Sequence, residues 1–436
     1  MASTFPAVSL FSNCGAGDLG YAHSGFRFRI LAELESRRLD VASLNHPNAQ
    51  TILGDLRSTW PQVISAYKAK SHTARLALLS ACPPCQGMST ARADRGLESD
   101  ADAGSRDYRN LLVEVIASVA AGLQPRIVVV ENVQAFLTRR VRHPDNGSPV
   151  SAANLLADRL NDHYAMFPMR SDLADFGIPQ HRRRSFLVFI HREEPGLERL
   201  AVTNTTPFPA ASHGPGLQED HITIEQSLGE LTKSSSYPLT PDVRLAIDKL
   251  HMTRPLSRRT SFMVSSIPSG SGKSAWQNTI CETCGPMEVS PEDATCRKCG
   301  GPLARPVVLE DGEWRLVRGF RNSSYRRMDP RKPAATITTA AGRISSDNTI
   351  HPFENRVLTP LESQHLQTFP AEFKWGSQLN EDSDAPIREM IGEAVPPKFT
   401  ALHGRILASI LGGHAPQGAM PDSDRRILTA RELLDR

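Results

Sequence analysis

An alternation in the first 190 residues constrains the fold more than any other feature of this chain. Short apolar runs rich in β-branched residues, at 7–11, 28–32, 76–80, 127–130 and 185–190, are separated by longer amphipathic stretches. Parallel strands buried on both faces read as near-continuous apolar runs, and each crossover between them needs a helix. The pattern predicts an α/β protein built on a doubly wound, mostly parallel sheet. From about 194 to 345 the chain turns to Pro, Ser, Gly and Arg with weak periodicity, including Pro268-Ser-Gly-Ser-Gly272, which predicts a second, smaller, loop-rich domain. Helical periodicity returns at 360–367 and 397–411, the latter behind the helix-start signal Val395-Pro396-Pro397. The expected division is therefore 1–193, an inserted domain 194–345, and 346–436 returning to complete the first domain. The tail after Gly412 is expected to be loosely held.

With 436 residues, 39% hydrophobic and 22% charged, the chain can bury more than one core, which excludes disorder and a collagen-like fibre. No run approaches the roughly eighteen apolar residues of a membrane span, and a strand starting near Pro6 leaves no room for a cleaved signal. A cytoplasmic protein with no membrane partner is expected. The net charge of +3 hides an uneven distribution: residues 251–343 carry 15 basic against 8 acidic side chains. One segment of a near-neutral chain is built to meet a polyanion.

The seven cysteines are an odd count, and the last four form two Cys-x-x-Cys pairs, Cys281 with Cys284 and Cys296 with Cys299, eleven residues apart and each followed by glycine. This is not a secreted disulfide framework. It reads as a zinc ribbon holding one tetrahedral Zn²⁺ on four thiolates, with no open position and hence a structural role. Redox use is the alternative, though neither pair sits at a strand-to-helix turn.

Four motifs carry chemistry. In Leu78-Leu79-Ser80-Ala81-Cys82-Pro83-Pro84-Cys85-Gln86-Gly87, a strand runs into a Pro-Pro turn that presents the Cys85 thiol at a carboxyl end, where open α/β sheets place their chemistry. A free cysteine is otherwise a small buried hydrophobe. In Arg126-Ile127-Val128-Val129-Val130-Glu131-Asn132, an apolar strand ends in a carboxylate facing the same crevice, able to share a proton with a ring nitrogen. Glu131 reads equally well as a neighbour of a helix N-cap. In Gln180-His181-Arg182-Arg183-Arg184-Ser185, period-2 alternation sets Arg182 and Arg184 on one side and Arg183 on the other. That is either a charged strand entrance or a pair of guanidinium groups facing an anion and an oxygen acceptor. Lastly, Val8-Ser9-Leu10-Phe11 meets the Gly-rich turn Ser12-Asn13-Cys14-Gly15-Ala16-Gly17-Asp18, the first βα turn of a nucleotide-binding sheet. Glu33 at the next strand end is placed for ribose hydroxyls and Asp55 for an adenine amine.

These elements, in this order, resemble the cytosine-5 DNA methyltransferase family over nearly the whole chain. Further matching segments are Asp107-Tyr108-Arg109-Asn110, Lys332-Pro333-Ala-Ala-Thr336-Ile337, Leu366-Gln367-Thr368-Phe369-Pro370 and Ile391-Gly392-Glu393-Ala394-Val395-Pro396. The resemblance implies a class I, Rossmann-like methyltransferase domain and a target recognition domain. It implies methyl transfer from S-adenosyl-L-methionine to carbon 5 of a flipped cytosine. Cys85 would attack carbon 6, Glu131 would hold N3 and the exocyclic amine, Arg184 would bind O2, and Arg182 would contact phosphate or lower the thiol's pKa.

For the cofactor, the resemblance assigns Phe11 to the adenine, and Asn13 with the backbone of Cys14, Gly15 and Ala16 to the methionine moiety. Glu33 takes the ribose, Asp55 and Leu56 the adenine, Pro84 and Leu112 the remaining wall, and Glu393 with Ala394 the carboxylate end. The Cys14 and Cys82 thiols are expected to pack. Asn13 and Ala16 stand where the family usually has glycine, Glu393 where it usually has asparagine, and Leu361 where arginine is common. Gln86, Ser89 and Arg109 would touch DNA, with 88–106 a loop closing over it. Arg258, Arg259, Arg321, Arg326, Arg327 and Lys332 are candidate phosphate or base contacts, each alone also readable as a solvated charge. Double-stranded DNA is the expected partner, with a monomer acting in restriction-modification or phage defence. The rivals are an RNA cytosine-5 methyltransferase on the same fold and a catalytically silent DNA-binding subunit.

Overall fold

The computed structural model describes residues 4–69, 75–84, 108–233, 241–318, 323–429 and 432. They divide into two compact units, one of Met1–Phe176, Arg183–Gln218 and Ala394–Arg436, the other of Gly177–Arg182 and Glu219–Glu393. No helix among the described residues is long and apolar enough to cross a membrane.

In the first unit, β1 (Phe5–Leu10), α1 (Ala16–His23), β2 (Phe26–Glu33), α2 (Ser36–Asn45), β3 (Gln50–Leu53), α3 (Leu56–Ala69), β4 (Leu78–Ala81), α4 (Val113–Leu123) and β5 (Ile127–Asn132) alternate as the apolar runs predict. A short ribbon of β6 (Arg140–Arg142) and β7 (Pro149–Ser151) leads to α5 (Ala152–Leu160), β8 (Tyr164–Asp172), β9 (Arg183–His191), α6 (Pro195–Thr203) and β10 (Thr205–Pro209). The seven-stranded sheet has the order β3-β2-β1-β4-β5-β9-β8. All neighbours through β5 are parallel, and β9 runs antiparallel to both β5 and β8. Because the chain leaves β3 and crosses back past β1 to form β4, the carboxyl ends of β1 and β4 flank a topological switch point, the crevice where open α/β sheets bind ligands.

Val8, Leu10, Ile30, Leu79, Val128 and Val130 are at most 1% exposed. They share one core with Leu56, Val63 and Tyr67 of α3 and with α4, whose Val113, Ile116, Val119, Ala120 and Leu123 recur at helical spacing. The two strands that the apolar runs do not signal, β3 and β8, are the sheet edges. A half-solvated edge needs no continuous apolar run, and an edge also tolerates Pro168 inside β8.

The second unit holds α7 (Ile224–Lys233), α8 (Pro241–Leu250), α9 (Arg258–Ser265), the hairpins β11/β12 (Ile280–Cys281, Gly285–Pro286) and β13/β14 (Val307–Glu310, Glu313–Leu316), then α10 (Pro360–Leu366) and α11 (Ala385–Glu393). Three helices thus lie where weak periodicity predicts loops. The boundaries also fall elsewhere than 193 and 345, because α10 packs against α7, α8 and α11 instead of returning to the sheet. Its Pro360, Leu361, Glu362, Ser363, Gln364 and Leu366 are all buried, as only a helix central to its own unit can be.

The chain re-enters the first unit with α12 (Pro397–Leu411), as predicted, and ends in β15 (Ala419–Pro421). Helix α12 lies so close to α1 that a Cβ on Gly20 would collide with Thr400 Oγ1 and the Pro397 carbonyl. The tail is not loose: β15 pairs with β10, Arg426 reaches Asp175 at 2.7 Å, and Leu428 is 5% exposed.

Candidate active site

At the switch point, β1 ends in a turn with two residues in the left-handed region, Phe11 at φ 56° and Asn13 at φ 50°. For a bulky aromatic this is an outlier of the kind that collects at ligand sites, whereas asparagine tolerates it best after glycine. That tolerance accounts for Asn13 at a position usually given to glycine. Gly15, at φ 75°, has no such latitude, since a Cβ there would lie 2.8 Å from the His46 ring. His46 Nε2 meets the Gly15 carbonyl at 2.8 Å, and burial pulls this imidazole below its ordinary pKa, so the ring is neutral with Nε2–H as donor. The Cys14 thiol is fully buried and pushed up to about 12 by that burial, which makes it a packing group as expected. Ala16 is buried at the first position of α1.

Glu33, at the end of β2, accepts the backbone N–H of Asn13 at 2.8 Å on one oxygen and those of Leu34 and Glu35 on the other. Burial raises its pKa, with Arg38 and these amides opposing. Asp55 accepts the Arg57 N–H at 2.9 Å, acting as N-cap of α3, and the Arg57 side chain holds its carboxyl below the usual range. Leu56 and Leu112 are buried, and Pro84 is half-buried at the end of the β4 turn. Glu393 closes α11 of the second unit, half-buried, and Ala394 begins the last segment of the first.

Nothing in the spacing of the motifs singles out Asp18. It lies in the first turn of α1, buried, and loss of water pushes its carboxyl from 3.8 up to about 7 against a single Ser9 hydroxyl. Between those values the folded chain keeps a proton that the unfolded chain has released, so stability falls as pH rises through that window. Asp18→Asn isolates this contribution: the variant's melting temperature relative to wild type is expected to rise between pH 4 and pH 8.

The fold brings Glu131 and Arg184 together. Glu131 ends β5 at 8% exposure, and Arg184 Nε stands 2.9 Å from its Oε1. The N–H is not aimed along that line, so Oε1 is buried without a hydrogen-bond donor. Next to it, Asn132 Nδ2 donates to the Pro83 carbonyl at 2.9 Å, tying the Pro-Pro turn to β5. Arg183 points to solvent on the opposite side, as the alternation predicts. Arg182 precedes the strand and is 1% exposed, its guanidinium donating to the carbonyls of Ile337 and Gly392 within the second unit. Cys85, Gln86, Ser89 and Arg321 lie outside the described residues, as does the segment 88–106. Arg109 is half-buried in the single turn Tyr108–Leu111.

In the second unit the ligand atoms of Cys281, Cys284, Cys296 and Cys299 lie within 4.8 Å of one another. The Cys281 and Cys299 sulfurs are 3.6 Å apart, and the Lys298 N–H points at Cys296 Sγ, 3.4 Å away. Among the expected DNA contacts, Arg258 is exposed beside Glu282 at 2.8 Å, and Arg259 stacks 4.3 Å over Trp314. Arg326 donates to the Gly272 carbonyl, and Lys332 is exposed. Arg327 must be struck from that set. It is 0% exposed and donates to the carbonyls of His351, Glu354, Val264 and Ile267 and to Asn355, so its charge is used to tie loops around a small core.

The family model for C-5 cytosine-specific DNA methylases matches residues 5–406, spanning both units. The chain belongs to this family. Among its relatives, the Type II methyltransferase M1.HgaI of Avibacterium volantium is 26% identical over 407 residues, covering 91% of this chain and 96% of the relative. The Type II methyltransferase M1.HphI of Haemophilus parahaemolyticus is 24% identical, covering 89% and 83%. A prophage-encoded E. coli protein described as a DNA modification methyltransferase shares the fold, with TM-score 0.57 at 17% identity and coverage of 94% and 100%. The mostly parallel sheet is the one the apolar runs predict, and His46 and Asp18 are the features this chain's motifs did not announce.

Proposed function

We propose that this C-5 cytosine methylase transfers a methyl group from S-adenosylmethionine to carbon 5 of a flipped cytosine in a specific duplex sequence. We place it as the modification enzyme of a Type II restriction-modification or phage-defence system, acting as a cytoplasmic monomer. The observation that carries the reading is Glu131: a buried carboxylate oxygen with no donor, 2.9 Å from a guanidinium, at the carboxyl edge of the sheet. An orphaned buried acceptor requires an explanation, and the N–H groups of a cytosine edge supply one.

Cys85 adds to carbon 6, forming a C–S bond, and the ring electrons become available at carbon 5. Glu131 delivers or shares a proton at N3 while Arg184 meets the charge building on O2. Carbon 5 takes the methyl group, then loses its proton to water, and the C–S bond breaks to release Cys85. The bound cofactor supplies the electrophilic methyl group. Its proposed seat fits the residues present: Glu33 keeps unused lone pairs for ribose hydroxyls, and the Gly15 backbone is bare. Phe11 and Pro84 with buried Leu56 and Leu112 provide apolar walls, and Asn13, Cys14 and Ala16 provide the turn. Asp55 keeps only the acceptor capacity that Arg57 and its capping bond leave for the adenine amine. Glu393 and Ala394 remain assigned to the carboxylate end, whereas Arg182, expected at phosphate or at the thiol, is buried and donates to the Ile337 and Gly392 carbonyls, which fits a role in positioning its own loop instead.

His46 is expected to act through the turn it holds. Losing one buried hydrogen bond costs about 0.5–1.5 kcal/mol. His46→Ala should accordingly raise the KM for S-adenosylmethionine several-fold with kcat near wild type, and His46→Gln, which keeps a donor, should recover part of it in steady-state assays.

The four cysteines are proposed to hold one structural Zn²⁺, because bonds of about 2.3 Å in a tetrahedron separate sulfurs by roughly 3.8 Å, close to the 3.6 Å observed. Elemental analysis should find one zinc per chain, and its removal by a chelator should lower DNA affinity. A metal-free, fully DNA-binding protein would contradict the assignment. Gln86, Ser89, Arg109, Arg258, Arg259, Arg321, Arg326 and Lys332 remain the proposed DNA contacts. Methyl transfer to duplex DNA tests the whole reading.

A further inference from the structure

The ribbon of β6 and β7 carries a charge pattern that the proposed chemistry does not use. Residues 138–151 contain three arginines and a histidine against a single acid, Asp145. That acid is already neutralised, since Arg159 reaches it at 2.7 Å and holds its carboxyl below the usual range. Val141 is 1% exposed and anchored in the main core, so its neighbours Arg140 and Arg142 share the opposite, exposed face. Two residues along a strand put their Cα atoms about 7 Å apart, comparable to the spacing of successive phosphates on one DNA strand. Arg140 has no acidic partner among the described residues.

The ribbon's place in the unit gives this charge a direction. It follows β5 by one short turn, Gln134–Leu137. That turn is held at the carboxyl edge of the sheet by Ser185 Oγ donating to the Val133 carbonyl at 3.0 Å and Gln134 Nε2 donating to the Ser171 carbonyl at 3.3 Å. The ribbon that carries the basic face therefore begins at the same edge as Glu131.

We propose that Arg140 and Arg142 form a phosphate clamp through which the sheet-bearing unit itself grips the backbone of duplex DNA beside the flipped base. This rests on the reading of the chain as acting on duplex DNA. The clamp is independent of sequence, because bonds to phosphate position a duplex without specifying it.

The test is the salt dependence of binding to a fluorescent, unmethylated duplex of mixed sequence by the full chain. Arg140→Gln with Arg142→Gln should lower the slope of log affinity against log salt by about 2, one unit for each phosphate no longer neutralised. Affinity should fall in parallel for unrelated sequences. Arg199→Gln with Arg405→Gln removes the same charge from exposed helical positions and should leave the slope unchanged. A clamp variant with the wild-type slope, or a control pair that lowers it equally, overturns the clamp while leaving methylation untouched. A wild-type chain that binds no duplex at all overturns the clamp and the DNA reading together.

Discussion

Cys85→Ser is expected to abolish methyl transfer, lowering kcat by at least about four orders of magnitude while duplex binding persists. A thiol ionises several units below an alcohol, and the thiolate is the species that adds to carbon 6. No neighbouring base is proposed that could activate a serine hydroxyl in its place. The described residues before position 85 are tied to two strands: the Cys82 N–H donates to the Leu10 carbonyl at 3.3 Å, and Asn132 holds the Pro83 carbonyl. Two prolines then restrict the backbone leading to residue 85. The substitution exchanges one sulfur for an oxygen, so folding and DNA affinity serve as internal controls. Residual activity above a few per cent would mean that the sulfur does not form the bond.

Glu131→Gln should cost about 10²–10⁴ in kcat, the range typical of a missing general acid–base group. The side chain keeps its shape and can still meet a ring donor, but it no longer offers a proton to N3 or a counter-charge to Arg184. If the pair 2.9 Å apart were mainly a structural tie, the deficit would appear as a lower melting temperature. The expected result is the reverse: near-normal melting and KM for DNA, with the deficit in kcat. Arg184→Lys separates the partners' contributions, because it keeps the charge but loses the planar fork that fits between a carboxylate and O2.

How much of the molecule is legible in its sequence depends on whether a residue's task is local. Glu33, Glu131 and the Gly15 turn are fixed by where a strand ends, which an apolar run announces, and all three lie at the carboxyl edge. Long-range tasks are not legible. Arg327 sits in a basic segment like its neighbours, and nothing in the order of residues says that five acceptors from distant loops converge on it. Arg182 differs from Arg184 by two positions, yet it is taken up by carbonyls at 337 and 392. The same limit moves the domain boundary: the amphipathic face of α10 is evident, but not that its partners are α7 and α8 rather than the sheet. His46 follows the end of an ordinary amphipathic helix, and only the fold shows its ring closing on the glycine turn.

Incubating the wild-type chain with labelled S-adenosylmethionine and an unmethylated duplex of mixed sequence, then digesting the product to nucleosides, shows which atom the enzyme methylates. Label is expected in 5-methylcytosine from DNA, confined to one sequence context. Label on an exocyclic nitrogen, label on RNA in place of DNA, or no transfer by a folded, cofactor-binding chain would contradict it.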